Sequence, residues 1–162
     1  MAEVRTAVPS GLGVEAGLVV LQEEKEPHRL LRIIIGQPEA RAIQAAVHQA
    51  VPGRPGTWDL FVAAVAMLDG EISRAVITAV EQERHFYAAL EMDQGGQRRR
   101  ISCRPSDAIA LAVRVPSCEI YAEEEVLTAA GRLADGTKAP AGEPESGPGA
   151  APSRELSSPP PT

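Results

Sequence analysis

The run Arg104-Pro105-Ser106-Asp107-Ala108-Ile109-Ala110-Leu111-Ala112 most narrows what this chain can fold into. Proline has no amide hydrogen and a φ already close to the helical value, so it suits the first position of a helix and is resisted further in. Pro105 therefore marks a helix start, with Arg104 as the half-in flanking residue and Ser106 and Asp107 in the first turn. A carboxylate there is favoured by the helix dipole and the free amides of the first turn. Two readings follow. The polar residues either cap a helix, or they line a site at a helix N-terminus, where an anion such as phosphate is readily held.

Of the residues with formal charge, 16 are Lys or Arg and 22 are Asp or Glu, a net charge of -6. No overall basic field draws in nucleic acid, so a polyanion must meet a local patch. Cys103 and Cys118 are too few for a disulfide framework. With no signal-peptide pattern at the N-terminus and no apolar run long enough for a membrane span, a cytoplasmic chain with reduced thiols is expected.

Residues 1–13 read as a loose lead-in or an edge strand around Val4 to Val8, and 14–131 as the folded domain. Half of the 14 prolines fall beyond residue 132, among Gly, Ser and Ala, so 132–162 read as a disordered tail unable to offset its ordering entropy. Within the domain, Leu18 to Ala45 laid over Phe86 to Val113 aligns two strand, turn, strand, helix units. Arg32-Ile33 meets Arg100-Ile101, Glu39 meets Asp107, and each helix opens near a proline, Pro38 or Pro105. This points to an internal duplication. Between the copies, Thr57 to Leu68 reads as a helix capped by Thr57, and Ile72 to Val80 as a strand. After them come a short strand at Glu119 to Tyr121 and a closing helix over Glu123 to Ala130. The fold class is α+β, with a mixed or largely antiparallel sheet and packed helices.

Ile34-Ile35-Gly36 with Glu39-Ala40, then Arg54-Pro55-Gly56-Thr57-Trp58-Asp59-Leu60, then Phe86-Tyr87-Ala88, then Arg104 to Ala112, together resemble the bifunctional nuclease (DNase/RNase) domain family over about residues 14 to 131. The resemblance implies a compact α+β domain, a homo-oligomer, and phosphodiester hydrolysis of DNA and RNA. One position departs. The family's middle motif usually reads Arg-Pro-x-Thr-His-Asp-Leu, and here Trp58 stands in the histidine's place, where it can only pack, stack or donate one hydrogen bond. Such hydrolysis needs an activated water and positive charge on the phosphate, often from a divalent metal such as Mg or Mn, with no organic cofactor. Asp59, Arg104, Ser106 and Asp107 are the candidate catalytic residues, Arg54 and Arg100 the candidate substrate-binding ones, and Asp59 and Asp107 the candidate metal ligands. Glu39 and Glu91 are further possible ligands.

The three histidines show no pair at metal-ligand spacing, and Cys103 reads either as a thiol activated near a helix start or as a small buried residue. The alternative to a nuclease is a non-catalytic module of the same fold, binding a ligand or a partner protein.

Overall fold

A computed structural model describes residues 2–7, 16–50, 53–82 and 84–138. The strands are β1 (Ala2–Ala7), β2 (Ala16–Glu23), β3 (Leu30–Gly36), β4 (Gly70–Glu81), β5 (His85–Gln94), β6 (Gln97–Cys103) and β7 (Glu119–Ala122). The helices are α1 (Gln37–Val47), α2 (Thr57–Met67), α3 (Pro105–Ala112) and α4 (Glu124–Ala130). The strands form one sheet in the order β3-β2-β1-β7-β4-β5-β6, antiparallel throughout except for the β4–β7 pair. The fold is α+β, as the sequence predicts.

Strand patterning sets which face is covered. In β2 and β3, Val19, Leu21, Leu31, Ile33 and Ile35 are buried while Val20, Arg32 and Ile34 alternate with them, because successive side chains point to opposite faces. The buried set joins Ala40 and Ile43 of α1, Ala108 to Ala112 of α3, and Val126 and Leu127 of α4 in one core. In α3 Ser106 and Ala108 to Ala112 are all buried, which is where a helix apolar all round belongs. Helix α1 comes close enough to β2 that a Cβ on Gly17 would collide with the Cβ of Ala40.

Several expectations change. The lead-in contains β1, which pairs with both β2 and β7 and so lies inside the sheet rather than at its edge; both its backbone edges are used in ladders. Residues 8–13 lie outside the described residues. Thr57 is the first residue of α2, and Gly56 is its N-cap. The start of the expected tail is paired: Leu30 and Arg132 exchange backbone hydrogen bonds, Arg132 bridges Lys138, and Leu133 donates to Thr137. The remainder, 139–162, lies outside the described residues.

The two strand, turn, strand, helix units occupy opposite edges of the sheet, each with its second strand outermost, and α1 packs against α3. Their turns differ. Gly95 and Gly96 take the positive φ that a tight hairpin requires, whereas the Glu24 to Arg29 connection is longer and built around a side-chain cluster. Element order and packing face agree between the units, and a duplication remains a reading of that agreement.

Candidate active site

Arg104 is the N-cap of α3 and Pro105 its first residue, as the sequence predicts. Gly36 is the N-cap of α1, with Pro38 in the first turn. Because the two helices pack together, their first turns meet, and Arg104 is held from both. Its Nε and Nη2 donate to Asp107 Oδ2 and Oδ1 at 2.8 and 3.0 Å, a two-pronged pairing. Its Nη1 lies 3.4 Å from Glu39 Oε1. Asp107, and then Glu39, raise the Arg104 guanidinium further above its ordinary value. The Arg104 side chain is nevertheless 67% exposed, so a ligand can reach it.

Arg104 and buried Ser106 face a cleft of about 400 Å³. Its other walls are two runs of consecutive residues, Ile33 to Gly36 and Arg84 to Tyr87. Consecutive rather than alternate residues indicate that strand edges, not strand faces, line the opening. The pairing agrees: β3 is the last strand of the sheet, and β5 continues past its final partner in β6, the Ala88–Cys103 pair, leaving residues 85–87 bonded only to β4. Among the described residues Arg84, His85 and Arg104 line the cleft and no carboxylate does, which suits an anion. Exposed Ile34 and Tyr87 give it an apolar wall. The Tyr87 hydroxyl donates to Glu81 Oε2 at 3.1 Å.

The other expected site residues are elsewhere. Asp59 accepts from the Gly56 amide at 2.7 Å and from Arg114 Nε at 2.7 Å. Arg114 also donates to the carbonyls of Ala110 and Ala42, and its guanidinium lies 5.7 Å from the centre of the Trp58 ring. This cluster ties α2 to the C-terminal end of α3 and to α1. Asp107 and Arg114 are seven residues apart, a separation on the order of 10 Å along a helix axis. Asp59 and Asp107 therefore belong to clusters at opposite ends of α3, each with its own arginine. The Gly56 amide, and then Arg114, hold the Asp59 carboxyl below its ordinary range.

Trp58 is half-buried against the core, which is packing, one of the roles open to it. Arg54 is exposed in the turn before α2. Arg100 lies beside Thr78, Ala89 and Ser102 in a separate depression on the sheet face away from the helices. Burial, and then Asp107, push the Cys103 thiol up, against an activated role. Among the described residues no three His, Cys, Asp or Glu side chains gather as a metal site. Glu39 does join the Arg104 cluster, and the internal alignment had already set it opposite Asp107. Arg84 and His85 carried no sequence signal, because four strands separate β3 from β5 in the sheet and only the tertiary structure brings the start of β5 beside the end of β3.

The cleft thus lies at paired helix starts on an α+β sheet, with arginines among its lining. Residues 19–134 match the model of the bifunctional nuclease domain, and the chain belongs to that family. Two uncharacterised proteins of Mycobacterium tuberculosis, from strains CDC 1551 and H37Rv, are each 41% identical over 115 residues, covering 71% of this chain and 67% of theirs. Among the described residues no helix is long and apolar enough to cross a membrane.

Proposed function

We propose that the chain hydrolyses phosphodiester bonds of DNA or RNA, with the scissile phosphate seated in the cleft against Arg104. The observation that carries this reading is the convergence of Glu39 and Asp107 on one exposed guanidinium at the mouth of a cleft lined with cations. Two carboxylates directed at one cationic centre also fit a divalent ion such as Mg or Mn, which typically takes one or two protein carboxylates and completes its shell with water and substrate phosphate. When bound, such an ion supplies charge at the phosphoryl oxygens and acidifies water. Glu39 and Asp107 would hold it beside Arg104, just outside the cleft lining, and Asp59 is a structural residue. Exposed Leu60, Phe61, Met67 and Leu68 on and just after α2 form an apolar surface suited to a second copy of the chain.

The test is cleavage of labelled DNA and RNA by purified protein with Mg²⁺ or Mn²⁺, then with chelator, for the wild type and Asp107→Asn. Metal-dependent cleavage lost in Asp107→Asn, with cooperative melting retained, supports the reading. Binding without cleavage favours a non-catalytic module of the same fold, the alternative that Trp58 in the usual histidine position recommends.

A further inference from the structure

We propose that His85 is the proton acceptor for the attacking water, that Arg84 and Arg104 hold the phosphate, and that the substrate is a single strand. This rests on the nuclease reading. Hydrolysis near neutral pH calls for a base within reach of the phosphate, and among the described residues His85 is the cleft-lining side chain of a type that exchanges protons there. Glu39 and Asp107 are engaged with Arg104, and neither lines the cleft. The other histidines are remote from it: His28 bonds the Glu23 carbonyl in the β2–β3 turn, and His48 follows α1. Trp58 has no acceptor to offer, and its ring faces Arg114.

Arg84 and Arg104 share the cleft with His85. Its cross-strand partner on β4, Glu81, is taken up by the Tyr87 hydroxyl. In the step, the water oxygen bonds to phosphorus and its proton passes to the imidazole. One P–O ester bond breaks and the departing alkoxide takes a proton from solvent. The imidazolium then returns its proton to the resulting hydroxide, so one ester and one water give a phosphate monoester and an alcohol.

The cleft also selects the form of the substrate. About 400 Å³ falls in the range of small-ligand pockets. It has room for one unstacked nucleotide, whose base can lie against Tyr87 and Ile34, whereas a duplex keeps its bases inside.

The experiment uses the full chain on fluorescent single-stranded DNA and RNA, and on the same sequences as duplexes, across about pH 5 to 9. His85→Gln is expected to lower kcat by about 100-fold or more with little change in KM, and to abolish the acid limb of the rate profile. Arg84→Gln is expected to raise KM, and added imidazole to restore part of the rate of His85→Ala. The rescue decides the matter even if a variant melts at a lower temperature. A wild type that cleaves while His85→Gln keeps its rate and profile overturns this inference and leaves the nuclease reading standing. Duplexes cut as well as single strands overturn the substrate class. A wild type that cleaves nothing overturns the nuclease reading and this role with it.

Discussion

Among the described residues, two arginines are each paired with two carboxylates, and they differ most in burial. Arg29 donates through Nε and Nη2 to Glu23 at 2.8 and 2.7 Å, and through Nη1 and Nη2 to Glu124 at 2.6 and 3.0 Å, while its backbone amide also reaches Glu23. Arg29 and Glu23 are 3% and 4% exposed. Arg104 makes the same kind of pairings with Asp107 and Glu39 but is 67% exposed. Around Arg29 every favourable geometry is spent on holding the β2–β3 turn to the first turn of α4. Glu124 thus does more than sit favourably at the positive end of the α4 dipole. Around Arg104 the solvent screens the pairs, so they contribute little to stability and can be exchanged for a ligand.

The sharpest way to break this comparison is to remove each arginine. Arg29→Ala leaves Glu23 buried without its partner, and by the cost of orphaning a buried charge it should lose roughly 3 to 5 kcal/mol in urea denaturation. The double variant Arg29→Met, Glu23→Leu should recover most of that loss, because no buried charge is left stranded and Glu124, 51% exposed, can be solvated. A loss from Arg29→Ala under about 1 kcal/mol, the range of an exposed pair, would show that the clamp is not what holds the turn.

Arg104→Ala should cost at most about 1 kcal/mol in the same measurement while abolishing cleavage. Destabilisation matching that of Arg29→Ala would make the Arg104 cluster a second clamp and remove it from the active site.

The smallest effect is a pH dependence shared by the structural clusters. Arg29 holds the Glu124 carboxyl below its ordinary range, and the Gly56 amide and Arg114 do the same for Asp59. A carboxyl depressed in the folded state binds its proton more readily when unfolded. Its stabilisation is therefore full above the unfolded value of about 4 and is lost as pH falls through the folded value. Melting temperature should drop below about pH 4, and Asp59→Asn should make that drop shallower. An equal drop in the variant would assign the acid sensitivity elsewhere.

The class of fold, the start of α3 at Pro105, the strand pairs around it and the half-buried packing of Trp58 were legible in the sequence. Each rests on local chemistry: proline's fixed φ, alternation along a strand, and the size of an aromatic ring among apolar neighbours. Family membership was legible too, because ordered motifs survive in one dimension. Which acids work together was not. Glu39, Asp59 and Asp107 each stand at the third position of a helix, and the sequence paired Asp59 with Asp107 because both follow an Arg-Pro pair. Packing of α1 on α3 gives Glu39 to the Arg104 cluster and sends Asp59 to Arg114 instead. Only the tertiary structure places β1 inside the sheet, brings Arg84 and His85 to the cleft, and buries Arg29 while leaving Arg104 open. Contacts between residues distant in sequence follow from how the elements pack, and burial, which sets the value of every charge here, exists only once they have packed.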